Sequence, residues 1–226
     1  VDDVAVFGAD TDASPYDSGS YASSTTYITG KAVEMACAKL KTQLCGIAAG
    51  MLGCSTEEVV FENGRVKQIN TEKSVSLAEI SVKDQVNNDI AAVATASHSS
   101  PVSPPPYMVG MVEIELDKET GSIEILDYQS VIDCGIPVNP NLARVQAEGG
   151  IGQGIGMALY ENVTYNAQGK IAENSFMQYK IPTRLDMGKL RVEFESSYEP
   201  TGPFGAKSIG AVSYTHLRAH ETAANL

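Results

Sequence analysis

Two stretches of the sequence have residue types that could hold a ligand. The segment Gly19–Gly30 is rich in serine and threonine, whose hydroxyl groups both donate and accept hydrogen bonds. The segment Gly149–Gly156 has five glycines among its eight residues, with Gln153 in the middle. Hydroxyl groups can surround a polar or phosphorylated ligand, and glycines let backbone N–H groups approach a ligand closely.

Each stretch also has a purely structural explanation. The hydroxyl-rich segment is typical of a surface turn in which serine and threonine cap a helix. Each glycine destabilises a helix by about 1 kcal/mol relative to alanine, and close packing against another element explains such residues as well as a buried cofactor does. The dinucleotide-binding glycine pattern is excluded, because no three glycines here fall at positions i, i+2 and i+5.

The histidines and cysteines do not form a recognisable metal site. His216 and His220 are four residues apart, but the zinc-binding H-E-x-x-H pattern is missing. None of the four cysteines belongs to a C-x-x-C pair, and Cys37, Cys45 and Cys54 point in three directions from a predicted helix. We therefore expect reduced, mostly buried thiols in a cytoplasmic protein.

The charge balance limits the classes of partner. Sixteen basic and 28 acidic residues give a formal net charge of −12, which argues against nucleic acids and anionic membranes. The longest apolar run, Cys45–Cys54, is about half as long as a membrane-spanning helix. The chain opens VDDVAVFGAD, without a start methionine or a signal-peptide pattern, so we expect a fragment of a larger protein.

The periodicity of apolar residues places the hydroxyl-rich segment in front of a long helix. Val4–Gly8 has the pattern of a short strand, and apolar residues recur at steps of three and four from about Thr26 to Leu52. Gly53 is expected to end this helix, and Asn63-Gly64 predicts the tight turn of a β-hairpin. A weaker helical pattern follows over residues 77–82.

The second half combines alternating strands with the glycine-rich helix. Residues 99–106, SSPVSPPP, exclude a helix or a central strand and are the candidate internal boundary. Val112–Leu116 alternates, with Val112, Ile114 and Leu116 expected on the buried side, and a second strand returns through Ile123 and Ile125 and runs on to Gly135. Leu190–Glu195 is a further strand. Because strands and helices interleave without strict β-α-β order, the predicted fold class is α+β.

Several segments together resemble one known family. In chain order they read GADTDASPYDSGSYASSTTYITGKAV, VEIELDKETGSIEILDYQSVIDCGIPVNP, VQAEGGIGQGIGMALYEN, SFMQYKIPT and GPFGAKSIG. They are similar to the second molybdopterin-binding domain of the xanthine dehydrogenase and aldehyde oxidase family of molybdenum hydroxylases. They look most like the molybdenum-binding subunit of bacterial xanthine dehydrogenases. We interpret residues 1–210 as the C-terminal part of that domain.

The resemblance implies roles for particular residues. The segment Ala22, Ser23, Ser24, Thr25 matches one that hydrogen-bonds the pyranopterin and its phosphate. Gln153 matches a glutamine that contacts the pterin from the other side. The cofactor would be the molybdopterin molybdenum cofactor, either as such or as its cytosine dinucleotide. No protein side chain need ligate the metal, because the pterin dithiolene holds the molybdenum.

The resemblance also implies a reaction and partners. The family hydroxylates N-heterocycles or aldehydes with oxygen derived from water, and a glutamate acts as the general base. Electrons leave through iron–sulfur centres and usually FAD, which belong to other domains or subunits. We therefore expect an oligomer of heteromers that acts on a small molecule in the cytoplasm.

The end of the chain departs from the family. The catalytic glutamate should directly follow GAKSIG, but that position is Ala211, and residues 211–226 resemble a translated sequencing adapter and not a natural end. We therefore expect an inactive fragment of a molybdenum hydroxylase. Two other hypotheses are a non-catalytic module that binds the cofactor or partner subunits without turnover, and a plain structural α+β domain.

Overall fold

The computed structural model describes residues 4–8, 10–17, 19–88 and 92–210. They form two compact units, the first within Val1–Ser18 and Ile28–Ser99, the second within Gly19–Tyr27 and Ser100–Leu226. Helices and strands are mixed in both units, which confirms the predicted α+β class. Ala211, His216 and His220 lie outside the described residues. Among the described helices, none combines the length and apolar character needed to cross a bilayer.

The first unit packs two helices with a three-stranded antiparallel sheet. Helix α1 (Thr25–Leu52) contributes its residues from Ile28 onward to this unit. Strands β1 (Val59–Glu62), β2 (Arg65–Gln68) and β3 (Ser74–Ser76) pair in that order, and helix α2 (Leu77–Asn88) follows directly. The buried core of the unit consists of Ala48, Ala49, Val59, Val66, Val75 and Ile80.

The hairpin turn and the helix end predicted for this unit are confirmed, whereas the strand predicted near the start of the chain is not. Asn63 and Gly64 have φ values of 51° and 71°, as a tight hairpin turn requires, and Gly53 ends α1 with a φ of 70°. The predicted strand at Val4–Gly8 is wrong. These residues have no regular structure, and Val6 is 81% exposed, because no described strand pairs with them.

The apolar stripe of α1 is covered better in its second half. Val33 is 54% exposed, whereas Leu44, Ile47 and Met51 are half-buried and pack against the core of the first unit. The expectation of mostly buried thiols is wrong as well: among the free cysteines, Cys37 is exposed and only Cys134 is buried. A periodic pattern identifies the apolar face of a helix. How much of that face is buried depends on segments that are distant in the sequence.

The second unit is built on a three-stranded sheet in the order β4-β5-β6. Strand β4 (Tyr107–Leu116) runs antiparallel to β5 (Ile123–Asp133), and β5 runs parallel to β6 (Lys189–Glu195). The glycine-rich segment forms helix α3 (Pro140–Ile155), which continues into one π-helical turn. The division between the units falls at residues 99 and 100, within the proline-rich segment.

Helix α3 packs against the sheet through small and branched residues. Ala147, Ile151 and Ile155 recur at steps of four along one face and are at most 1% exposed. Asn139 caps the helix, because its side-chain oxygen accepts hydrogen bonds from the N–H groups of Asn141 and Leu142. The sheet contributes Met108, Ile125, Tyr128, Ile132 and Val192 to the same core.

The predicted sidedness of β4 is wrong. Val112, Ile114 and Leu116 are 49%, 48% and 50% exposed instead of buried. The β-bulge here does not explain the exposure, because Glu113 pairs with Asp127 and Ile114 with Ile125, so the extra residue belongs to β5. Instead, every residue of β4 from Val109 onward is exposed, so the described residues cover neither face of this part of the strand. In the described part of the chain, β4 is also an edge strand, with β5 as its one neighbour.

Candidate functional site

Three segments of the second unit meet at Gly210. A Cβ atom built on Gly210 would lie 3.0 Å from Oγ of Ser23 and 2.9 Å from Nε2 of Gln146. Ser23 belongs to the turn before α1, Gln146 to α3, and Gly210 ends the loop that begins at Gly202. We call this meeting point the Gly210 site. The φ of 124° at Gly210 favours glycine, and a Cβ atom there would also displace the ends of the two neighbouring side chains.

The turn before α1 has an unusual backbone. Ala22 and Ser23 have φ values of 50° and 54°, a region that non-glycine residues rarely occupy. The N–H groups of Ser23 and Ser24 donate to the carbonyl oxygens of Ser20 and Tyr21 over 3.2 Å, and the Ser24 hydroxyl also donates to Tyr21 over 2.8 Å. Such a conformation persists only where the surroundings fix it, and it clusters at ligand-binding sites.

Tyr27 fixes the first turn of α1 to the segment that leads into the Gly202–Gly210 loop. Its side chain is only 2% exposed. Its hydroxyl group lies 2.7 Å from Oγ1 of Thr201 and 3.1 Å from Oγ of Ser100. The N-terminus of α1 is therefore held in place, and its first N–H groups lack partners within the helix.

The face of α3 that points away from the sheet presents two glutamines. Gln146 and Gln153 are exposed and seven residues apart, which is two helical turns, so both lie on the same face. Gln153 lines a cavity of about 460 Å³ together with Glu148, Gly149, Arg184 and other residues. The cavity therefore lies two turns along α3 from the contact between Gln146 and Gly210.

The walls of this cavity are held by their own hydrogen bonds. The Tyr179 hydroxyl donates to the Glu161 carboxylate, and this hydrogen bond raises the pKa of Tyr179. Arg184 donates through Nη1 to the carbonyl oxygen of Gly188 over 2.5 Å. A Cβ atom on Gly152 would lie 3.0 Å from Cε of Met187, so side-chain packing accounts for this glycine.

The loop Gly202–Gly210 is tied to the end of β5. The Ile136 N–H donates to the carbonyl oxygen of Gly205 over 2.9 Å, and the Lys207 N–H donates to that of Cys134 over 2.8 Å. Nζ of Lys207 donates to Oδ2 of Asp133 over 2.7 Å. A Cβ atom on Gly135 would lie 2.3 Å from the Gly205 carbonyl oxygen, so only glycine allows this approach.

Two ionisable groups at this junction have shifted pKa values. Burial opposes ionisation of Asp133, but hydrogen bonds from Lys207, Ser197 and the Gly135 N–H outweigh it and lower the pKa of this carboxyl group. Burial is the main reason that the pKa of the Cys134 thiol is raised, and the neighbouring Asp133 charge adds to the effect. The junction thus contains a charged carboxylate beside a neutral thiol.

The chemistry of the Gly210 site suits a ligand with phosphate groups and a polar heterocycle. Unbonded N–H groups at a helix N-terminus and nearby hydroxyl groups bind phosphate well. The amide side chains of Gln146 and Gln153 can donate to and accept from a heterocycle. Among the described residues, no group of three histidine, cysteine or acidic side chains could hold a metal ion.

All the site residues predicted from the sequence belong to the second unit. Ser23 lies in the Gly210 site itself, and Ala22, Ser24 and Thr25 are its neighbours in the chain. Gln153 lines the cavity instead. Sequence reasoning missed Gln146, although its distance of seven residues from Gln153 could have indicated a shared helix face. That these residues bind a cofactor stays a prediction.

Comparison with known proteins gives consistent results. Residues 1–188 match the family model described as "Molybdopterin cofactor-binding domain". "Probable hypoxanthine oxidase XdhD" of Escherichia coli (strain K12) is 32% identical over 212 residues, covering 93% of this chain and 22% of that protein. "Xanthine dehydrogenase molybdenum-binding subunit" of Escherichia coli O157:H7 is 30% identical over 216 residues, covering 93% of this chain and 29% of that protein.

A solved structure has the same fold. Quinoline 2-oxidoreductase from Pseudomonas putida 86 superimposes with a TM-score of 0.78 at 26% sequence identity, covering 95% of this chain and 29% of that one. The chain therefore spans between about a fifth and a third of the length of these similar proteins.

Proposed function

We propose, since this chain belongs to the family of molybdopterin cofactor-binding domains, that it is the cofactor-binding part of an oxidoreductase that hydroxylates a small molecule with oxygen derived from water. The observation that supports this most is the meeting of Ser23, Gln146 and Gly210 at the start of α1. The similar proteins are named for hypoxanthine, xanthine and quinoline, so an N-heterocycle is the proposed substrate class ahead of aldehydes.

The residues of the chain would bind and orient the cofactor. The N–H groups at the start of α1 and the hydroxyl groups of Ser23 and Thr25 would hold the phosphate, whose charge the helix N-terminus favours. The Ser24 hydroxyl would join them only by giving up its hydrogen bond to the Tyr21 carbonyl oxygen. The amides of Gln146 and Gln153 would donate to the pterin. When bound, the molybdenum cofactor supplies the redox chemistry of the hydroxylation. The proposed form is molybdopterin or its cytosine dinucleotide.

The same proposal includes partner subunits. Electrons released by the reaction need acceptors, and we assign these to iron–sulfur and FAD domains or subunits of the same enzyme. We also propose that the complex works in the cytoplasm as an oligomer of such heteromers.

The test compares two glutamine variants of a completed subunit, meaning this chain extended to the length of its relatives. Gln153→Leu removes the amide in the cavity, and Gln168→Leu removes an exposed amide from a remote turn. We expect lower molybdenum content and pterin fluorescence for Gln153→Leu only. Equal cofactor content in both variants would contradict the role of Gln153, and no molybdenum in the parent subunit would contradict the function.

A second candidate function is cofactor binding without turnover. The observation that favours it is Ala211, at the position where the resemblance places the general base. A general base contributes about 10²–10⁴-fold to a rate, so we expect the completed subunit to gain activity in that range on a purine and aldehyde panel when Ala211→Glu is introduced. If the activities of both proteins are equal, position 211 has no catalytic role.

A further inference from the structure

Hydroxyl groups connect the first turn of α1 with the segment before the loop Gly202–Gly210. Tyr27 is only 2% exposed, and its hydroxyl group lies 2.7 Å from Oγ1 of Thr201. Oγ1 of Thr201 donates to a carboxylate oxygen of Glu199, which also accepts from the Thr201 N–H over 2.9 Å. Since a hydroxyl group has a single hydrogen, Tyr27 is the donor to Thr201. The hydrogen bonds therefore run in one direction, from Tyr27 through Thr201 to Glu199.

The ring of Tyr27 also contacts the place where the loop begins. A Cβ atom built on Gly202 would lie 3.2 Å from Cδ2 of the Tyr27 ring, so the ring packs against the backbone of the loop. Oγ of Ser100 lies 3.1 Å from the Tyr27 hydroxyl, but it donates its hydrogen to the Val102 carbonyl oxygen over 2.7 Å. Thr201 is therefore the acceptor on which the position of the Tyr27 hydroxyl depends.

The opposite end of the loop contacts the turn before α1. A Cβ atom built on Gly210 would lie 3.0 Å from Oγ of Ser23, which is four residues before Tyr27. The loop thus contacts the start of α1 at both of its ends. The backbone of Ala22 and Ser23, with φ values of 50° and 54°, persists only where the surroundings fix it. Because Tyr27 lies in the first turn of the helix that follows, its contacts with the loop fix this turn.

We propose that Tyr27 is a positioning residue for the phosphate of the cofactor: its hydrogen bond to Thr201 keeps Ser23 and the first N–H groups of α1 directed toward the Gly210 site. This inference rests on the proposed function. Tyr27 itself is buried and does not bind the phosphate. Without its hydrogen bond, the start of α1 spends part of its time in arrangements that cannot bind phosphate. The apparent dissociation constant then rises in inverse proportion to the fraction of molecules that can still bind.

The first test needs neither the cofactor nor activity. Hydrogen exchange in the chain as it exists is compared for Tyr27→Phe, which removes only the hydroxyl group, and Tyr128→Phe, the same change at another buried tyrosine of the second unit. The amides of Ser23 and Ser24 donate hydrogen bonds within the turn. We expect them to exchange about 3–10-fold faster in Tyr27→Phe only. Exchange that equals the parent's, or that rises as much in Tyr128→Phe, would overturn the proposal.

The second test measures the Kd of the folded, cofactor-free completed subunit for inorganic phosphate by phosphorus NMR. We expect Tyr27→Phe to raise this Kd about 3–10-fold and Tyr128→Phe to leave it as in the parent. Thr201→Val should have the same effect as Tyr27→Phe. The double variant should be no weaker than either single variant, because both changes remove one hydrogen bond.

Three results of this measurement would contradict the proposal. A merely structural role of Tyr27 would lower the folded fraction and leave the Kd of the folded protein unchanged. Additive effects of Tyr27→Phe and Thr201→Val would show that the two residues act separately. A parent subunit that binds no phosphate would show that the turn has no phosphate to position.

This proposal and the proposed function can fail separately. If the parent subunit contains no molybdenum, the proposed function fails, and hydrogen exchange still decides whether Tyr27 fixes the turn. If the parent contains the cofactor and Tyr27→Phe binds phosphate as tightly as the parent, only the positioning role is wrong.

Discussion

Asp133 receives hydrogen bonds from three separate parts of the chain, and this makes its charge structurally important. The Lys207 ammonium group, the Ser197 hydroxyl and the Gly135 N–H all donate to it. Although burial opposes the charged form, these donors lower its pKa. A carboxylate stabilised in this way contributes more to the folded state than to the unfolded state, where its pKa is about 3.9.

The pH dependence of stability follows from the direction of this shift. Because the pKa of Asp133 is lower in the folded state, its contribution is complete above the unfolded pKa and is lost as pH falls through the folded pKa. We expect Asp133→Asn to reduce the free energy of unfolding by about 1–3 kcal/mol at pH 7. The difference between the two proteins should become smaller as pH falls below about 4.

Urea unfolding of both proteins between pH 3 and pH 7, at roughly one-unit steps, measures this difference. A difference that is constant over the whole range would show that the charge of Asp133 does not matter and that only its shape does.

At the scale of elements, the glycines of α3 and of the π-helical turn after it have different surroundings. A Cβ on Gly149 would have no atom within 4 Å, whereas a Cβ on Gly152 would meet Met187 and one on Gly156 would lie 2.2 Å from Oε1 of Glu161. Close packing, one of the two explanations open from the sequence, therefore accounts for Gly152 and Gly156. Gly149 lines the cavity and has room beside it, so it is available for a ligand.

We expect Gly152→Val to destabilise the chain by about 1–3 kcal/mol through overpacking against Met187. The double variant Gly152→Val with Met187→Ala should regain part of this loss, because the removed methionine leaves space for the valine. Thermal unfolding of the two variants and the parent measures both effects. If the double variant is less stable than either single variant, Met187 is not the residue that valine displaces.

The sequence predicts those elements whose determinants are close along the chain. Helix α1, the Asn63-Gly64 hairpin and the strand that begins at Ile123 depend on periodicity and on a few special residues, and the structure confirms them, although this strand ends at Asp133 and not at Gly135. The exposure of Val112 and the contact between Gln146 and Gly210 depend on which distant segments meet. Local patterns do not contain that information, so sidedness and site geometry could not be predicted.

At the scale of the whole molecule, the chain divides into two units, and the candidate site belongs entirely to one of them. The turn before α1, the loop Gly202–Gly210 and α3 are all parts of the second unit. The first unit contributes α2, the β1–β3 sheet and most of α1. We therefore expect substitutions in the β1–β2 hairpin to change the stability of the first unit without changing cofactor content in the completed subunit.

A core variant of the first unit tests this separation. Val66 is fully buried in the first unit, and Val66→Ala should lower its stability by about 1–3 kcal/mol. Hydrogen exchange should then increase in β1–β3, while the amides of Ile136 and Lys207 keep their protection. Faster exchange at those two amides would show that the units unfold together.

The edge strand β4 has a consequence for the behaviour of the chain in concentrated solution. Val109 and Met111 are 71% and 66% exposed on a ten-residue strand that, among the described residues, has a neighbouring strand on one side only. Such an edge is a template for pairing with another strand, and so for aggregation. We expect turbidity and light scattering to rise with concentration. Val109→Lys should suppress the rise more than Leu185→Lys, although Leu185, in a short 3-10 helix, is even more exposed (94%) than Val109. Equal suppression by both lysines would mean that added charge, and not the strand edge, controls solubility.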